Sequence, residues 1–278
     1  MGSKIKVNLA CGDVFVVDHD WLNFDYTSPS TNVQQANLLD RLPLDDGVAD
    51  LVYSSHFLEH IPRSQVSGFL AECFRILKPD GILRLVLPDL ENLCRAYLEH
   101  RSNNEHDKAN FVVIEMIDQC VRQESGGELG RYYKQLKSSS NKMTQSIEFV
   151  RERTGENLLD STTVASICTL GGGGLRNILR KACGRAERVW VRIILSCLPA
   201  AFRAQNVSLA SVGERHQWLW DFEQLRAALK ETGFELVLRH QANESGFEGF
   251  PFHPLDLDKE GQPRKGAESM YIEARKPR

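Results

Sequence analysis

A short apolar strand that stops on a glycine turn, with a second strand and an acid close behind, constrains this chain more than any other stretch. Residues 5–26 read I-K-V-N-L-A-C-G-D-V-F-V-V-D-H-D-W-L-N-F-D-Y. Ile5, Val7 and Leu9 form an apolar run that ends at Ala10-Cys11-Gly12, as a buried parallel strand does on reaching a ligand turn. Gly12 has no Cβ, so backbone there can come close to a bound molecule at an unusual φ. Trp21 to Phe24 reads as the second strand, and Asp25 at its tip is placed to accept from the two hydroxyls of a ribose. The pattern predicts the nucleoside-binding half of a doubly wound α/β sheet.

A dinucleotide is the wrong ligand for it. The three glycine places of G-x-G-x-x-G hold Ala10, Gly12 and Phe15, so close approach to a pyrophosphate is poorly provided for. The interval from Gly12 to Trp21 is also too short for an ordinary helix and its two loops. The ligand turn is expected to run almost directly into the second strand.

Further strands are expected over 33–38, 49–54 and 82–87, the second of these ending in Ser55-His56. A helix from Arg63 to Lys78 carries Phe69, Leu70, Cys73, Phe74 and Leu77 on one face and is stopped by Pro79 and Gly81. Strand signal then fades until about Gly213. Segments 110–121 and 130–136 read as helices, and 171–174 is a run of four glycines. The block 175–202 mixes apolar residues with Arg176, Arg180, Lys181, Arg185, Arg188 and Arg192. At the C-terminus Asp221 and Gln224 form a capping box, Gly233 closes the helix they start, and 234–239 and 270–274 are the last two strands. The expected architecture is a Rossmann-like sheet of seven strands built from residues 1–100 and 214–278. Residues 101–213 form a helical insertion that caps the site and reads the acceptor.

A net charge of −3 argues against a nucleic-acid partner. Seven cysteines without a C-x-x-C pair suggest neither a zinc knuckle nor a disulfide framework. With no signal-peptide pattern, the expected location is the cytoplasm.

N-L-A-C-G-D at 8–13, Asp25, L-P-L-D-D-G-V-A-D-L-V-Y-S-S-H-F-L-E-H-I at 42–61 and F-L-A-E-C-F-R-I-L-K-P-D-G-I-L-R-L-V-L-P-D at 69–89 together resemble class I S-adenosylmethionine-dependent methyltransferases of type 11. H-Q-W-L-W-D at 216–221 and the shortened first helix are similar to a subgroup associated with bacterial polysaccharide biosynthesis. The resemblance implies that Ala10, Cys11 and Gly12 lie against the methionine portion of S-adenosyl-L-methionine. By the same resemblance Asp25 holds the ribose, Asn37 and Leu38 flank the adenine, and Ser55 and His56 face the sulfonium end. Ala10 stands where many members have glycine, and Asn37 where an aspartate is common. The implied reaction is O-methylation of a sugar, nucleotide-sugar or lipid-linked glycan, with His56, His60, Asp89 and His216 as candidate bases. The rivals are a nucleotide-dependent oxidoreductase on a related sheet and a non-catalytic cofactor-binding module.

His56-Phe57-Leu58-Glu59-His60 also spells an inverted zinc-protease motif, but it falls at a strand end rather than on the helix that motif needs. Its ordinary reading is a helix cap and cofactor floor. It also resembles E-x-x-E-H, which holds a divalent metal in enzymes methylating the 3′-terminal ribose of small RNAs and in ubiquinone-pathway O-methyltransferases. That resemblance implies a metal at His56, Glu59 and His60, with His216 as a fourth ligand or a base. The basic, apolar block at 175–203 is expected to cap the sheet, to lie on an anionic membrane surface at the inner face of the membrane, or to clasp the pyrophosphate of a lipid-linked or nucleotide-linked sugar.

Overall fold

The computed structural model describes residues 4–28, 30–138, 144–159, 190–191, 193–199, 202, 207 and 213–278. The run of four glycines and the basic residues from Arg176 to Arg188, with Arg192, lie outside the described residues.

Seven strands pair in the order β3-β2-β1-β4-β5-β7-β6. They are β1 (Lys6–Leu9), β2 (Trp21–Asp25), β3 (Val33–Gln35), β4 (Ala49–Ser55), β5 (Leu77–Pro88), β6 (Glu235–His240) and β7 (Ser269–Arg275). The first five pair in parallel, and β7 enters antiparallel between β5 and β6. In β4, Ala49 and Val52 face one core cluster, while Leu51 and Tyr53 face another. Both faces of the sheet are therefore buried.

Among the described residues, the long helices that pack on the sheet lie on the first face, and the short turn of helix Phe252–Leu255 on the second. Helix α1 (Arg63–Ile76) buries Val66, Phe69, Leu70, Cys73 and Ile76, a stripe at three- and four-residue spacing that turns toward the sheet. Beside it lies α6 (Phe222–Thr232), where Asp221 Oδ1 accepts from Gln224 N at 2.8 Å and Gly233 leaves the helix at φ 105°. The second face is covered mostly by irregular chain: Val14, Val16, Ala242, Phe247, Phe250 and Leu255 pack on Trp21, Tyr53 and Tyr271.

The expected loss of the first helix is borne out, and two buried asparagines explain what replaces it. Asn8 Nδ2 donates to Val14 O (3.2 Å) and Asn23 Oδ1 (3.4 Å), while Asn23 Nδ2 donates to Val16 O (3.1 Å). The loop's carbonyls find donors on the strands rather than within a helix, which satisfies groups that would otherwise be buried unpaired.

The helical layer starts at Leu90, earlier than position 101. Helices α2 (Leu90–Ser102), α3 (His106–Val121), α4 (Gly127–Ser138) and α5 (Thr144–Thr154) share a core of Leu93, Phe111, Val112, Leu136, Phe149 and Val150. Leu93 belongs to that core, so α2 goes with the helices after it. Among the described residues, no helix is long and apolar enough to cross a membrane.

Candidate active site

Strand order reverses between β1 and β4, and ligands of open α/β sheets bind beyond the carboxyl ends of strands at such a point. Leu9 pairs with Phe24 on one side and with Ser54 on the other. Ala10-Cys11-Gly12, Asp25 and Ser55-His56 therefore emerge side by side. Gly12 N–H donates to Asp25 Oδ2 at 2.9 Å, and Thr27 N–H donates to Oδ1 at 3.0 Å. A carboxylate has about four acceptor sites, so Asp25 keeps room for a hydroxyl while it holds the turn. Ala10 (φ 57°) and His56 (φ 52°) are non-glycine residues in left-handed backbone at this crevice, a strain of order 1–3 kcal/mol each. Ala10 is thus the position where glycine would be easier. Burial and the Asp25 carboxylate push the Cys11 thiol up to about 12, which leaves it a packing group rather than a nucleophile.

Two sequence-expected positions contribute differently. Leu38 puts its side chain into the sheet core, so a ligand meets its backbone only. Asn37 turns its amide to Asp40 Oδ2 at 2.8 Å and accepts from Leu39 N–H, fixing the loop beside the crevice.

At the end of β4 a buried acid sits among imidazoles. His56 Nδ1 lies 3.2 Å from Glu59 Oε1, and His60 Nε2 lies 3.8 Å from it. His216 is held between α3 and the end of β4 by backbone hydrogen bonds. Its N–H donates to Gln119 O (3.0 Å), and Gln217 N–H donates to Glu59 O (2.6 Å). Donor atoms of Glu59, His60 and His216 lie within 4.8 Å of one another. This corrects the expected ligand set, because His216 takes the place given to His56. The ring of His56 instead spans Glu59 and Ser269 Oγ, the latter 3.0 Å from Nε2.

Burial raises the Glu59 carboxyl, but the imidazoles of His56, His60 and His216 outweigh it and hold it at about 2. Burial pushes His56 and His216 down to about 4, so both are neutral at pH 7. A buried carboxylate thus has only imidazoles in ion-pair contact among the described residues. Its two oxygens and His216 Nδ1 lack aligned hydrogen-bond partners. His60 Nδ1 sits 3.0 Å from the Arg215 carbonyl; only a ring N–H suits that contact, which turns Nε2 toward Glu59. A carboxylate, a ring nitrogen oriented through a carbonyl and an unpartnered ring nitrogen are a donor set that fits a divalent cation.

Asp89 does not join this group. Its Oδ1 caps α2 through Glu91 N–H (3.1 Å) and its Oδ2 accepts from Arg239 Nη1 at 2.8 Å, so both oxygens are already committed.

Residues 13–85 match the model of the family described as Methyltransferase domain. Together with the seven-stranded order and its antiparallel last strand, that match gives the chain the fold of class I S-adenosylmethionine-dependent methyltransferases. No curated protein matches the chain in sequence. Among solved structures it is similar to a SAM-dependent methyltransferase from Archaeoglobus fulgidus, at 11% identity and a TM-score of 0.40, covering 99% of this chain and 87% of that one. A second is a SAM-dependent methyltransferase of Thermotoga maritima, at 13% identity and TM-score 0.37, covering 99% and 83%. At these scores neither likeness carries an argument of its own.

Sequence reasoning missed three residues of the site. Glu115, Lys265 and Glu268 share a cavity of about 340 Å³ with His56, His60 and His216. One signal was available: Glu115 follows Ala109 and Val112 at three-residue spacing, an acid on what is otherwise an apolar stripe.

Proposed function

We propose that this protein methylates a hydroxyl of a sugar or glycan intermediate and that Glu59, His60 and His216 hold a divalent cation beside it. The observation that carries the reading is the buried Glu59 carboxylate, with its unpartnered oxygens, next to the crevice end where Ser55 and His56 emerge. Methyl transfer is an in-line displacement in which the C–O bond forms as the C–S bond breaks. S-adenosylhomocysteine departs as a neutral thioether, and the hydroxyl proton passes to a base. Alignment of oxygen and methyl carbon supplies on the order of 7–11 kcal/mol, and a positioned base adds about 10²–10⁴-fold. The neutral imidazole of His56 is the base within reach, and it also orients Glu59. A bound cation would lower the acceptor hydroxyl's pKa. Exhaustive chelation is expected to stop turnover and added divalent ion to restore it. Full activity in metal-free protein, with no metal by elemental analysis, would reduce the cluster to a structural one.

A second contact is supported by a separate observation. Trp190, Val191, Ile193, Ile194 and Phe202 are all exposed, in a stretch whose sequence also carries Arg185, Arg188 and Arg192. Aromatic and aliphatic side chains beside arginines suit an anionic bilayer surface, which we infer to be the occupant. Vesicles with anionic lipid are expected to float the wild type and to lose the variant with Trp190, Ile193 and Ile194 all changed to Ser. Equal flotation of the two proteins would dismiss the contact.

A further inference from the structure

The cavity shared by the imidazole cluster and the helical layer is also lined by ionisable groups that no step above uses. Glu115, on α3, accepts from Arg153 Nε at 3.2 Å through Oε2, and Arg153 Nη1 donates to Asn92 at 2.7 Å. Glu115 Oε1 and Arg153 Nη2 are buried with no ordinary donor or acceptor opposite them. Glu268 stands beside Glu115 in the same wall. Burial raises both carboxyls, the Glu115 charge raises Glu268 further, and Arg153 opposes the rise at each.

Lys265 lines the same wall. Burial pushes its ammonium down, with Arg264 adding to the effect, and among the described residues its Nζ has no hydrogen bond or ion pair. Its position is fixed by backbone. Ala267 N–H donates to Glu152 O (2.9 Å), and Glu268 N–H donates to Arg153 O (3.0 Å). These bonds hold the 264–268 segment against the end of α5, which makes the wall a built surface rather than a chance meeting of side chains.

The chemistry of the wall selects its ligand. An apolar molecule would leave these buried groups unpaired, at a cost of about 1–3 kcal/mol each. An anion would suit Lys265 but meet Glu115, Glu268 and Glu156. A cation would suit the acids but meet Lys265 and Arg122. A hydroxyl both donates and accepts. Two neighbouring hydroxyls can therefore satisfy the ammonium and the two acids together. The volume is near the lower end of ligand pockets, which run about 300–1,000 Å³.

We propose that this cavity is the acceptor subsite, and that Lys265 and the Glu115–Glu268 pair read adjacent hydroxyls of one neutral, polyhydroxylated ring. The proposal rests on the methyl-transfer reading and adds the residues by which the acceptor is chosen. The full chain saturated with S-adenosylhomocysteine is titrated by saturation-transfer NMR. The probes are methyl glycosides of glucose, mannose and galactose, with glucuronate and glucosamine as the charged counterparts. At least one neutral glycoside is expected to bind more tightly than either charged sugar. Lys265→Met and Glu268→Gln are each expected to weaken that binding by about tenfold or more, the usual effect of removing a hydrogen bond to a charged group. Their affinity for S-adenosylhomocysteine should match the wild type. Tyr133→Phe, a milder change in the same wall, covers the case in which a buried-charge variant fails to fold, and is expected to weaken the glycoside severalfold. A protein that binds S-adenosylhomocysteine but no neutral glycoside, prefers a charged sugar, or is indifferent to all three substitutions overturns the proposal. Failure to bind S-adenosylhomocysteine would overturn the underlying reading as well.

Discussion

Glu59→Gln is expected to lower turnover by about 100-fold or more, in line with the loss of a metal ligand or of the group that orients one. Affinity for S-adenosylmethionine should be unchanged. The substitution keeps the shape of the side chain and removes its charge. In the metal-free protein that charge is buried among neutral imidazoles, without an aligned donor for either oxygen. The carboxyl is nevertheless held at about 2, below its unfolded value, so folding favours the charge. The same variant is therefore expected to be somewhat less stable at neutral pH as well as far less active. If Glu59→Gln unfolds earlier on heating while retaining turnover, Glu59 is only a structural tie between β4 and the 216–218 return.

The second large effect is expected at the crossing that builds the cavity wall. A Cβ at Gly266 would lie 2.2 Å from Arg153 O, and one at Gly155 would lie 2.1 Å from Arg264 O. Both positions have positive φ, 63° and 75°. The obstructing atoms are backbone and cannot swing away, so the two segments must separate. Gly266→Ala should destabilise the protein by about 3–5 kcal/mol, overpacking and left-handed strain acting together. Glycoside binding should fall with it, because Lys265 and Glu268 ride on the displaced segment. Denaturant titration reads the first effect. A loss below about 1 kcal/mol, the range of ordinary surface substitutions, would show that the segments are not in contact.

The sheet was legible because its signals are local. The apolar run along 49–54, the stripe on 63–78 and the Asp221–Gln224 box each depend on neighbours a few residues away; each appears in place, except that the helix ends at Ile76 and Leu77 already belongs to β5. The short Gly12–Trp21 interval correctly excluded a first helix. It gave no hint that Asn8 and Asn23 would bind the loop instead, because a buried asparagine looks polar in sequence and is hidden only by tertiary pairing. Asp89 resembled a base by its place after a strand, yet a residue there is equally suited to cap the next helix, and Arg239 is 150 positions away. The His216 partnership was half legible. Its chemistry was visible, but its replacement of His56 depends on how the 216–218 return bonds to Glu59. Lys265 and Glu268 were illegible: in sequence they are charged residues of a turn, and only the crossing with α5 turns them inward.

The central claim is that the crevice beside β1 and β4 holds S-adenosylmethionine, with Asp25 on the ribose. Calorimetric titration of the full chain with S-adenosylhomocysteine, repeated on Asp25→Ala and set against NADH and NADPH, tests it most directly. The expected result is saturable binding of one S-adenosylhomocysteine per chain, weakened by about 1–3 kcal/mol in a folded Asp25→Ala protein, and no heat from either dinucleotide. Binding of NADH or NADPH with none of S-adenosylhomocysteine would contradict the account and point to an oxidoreductase. No binding of any of the three would leave a module that has lost the cofactor, and unchanged affinity in Asp25→Ala would remove Asp25 from the site.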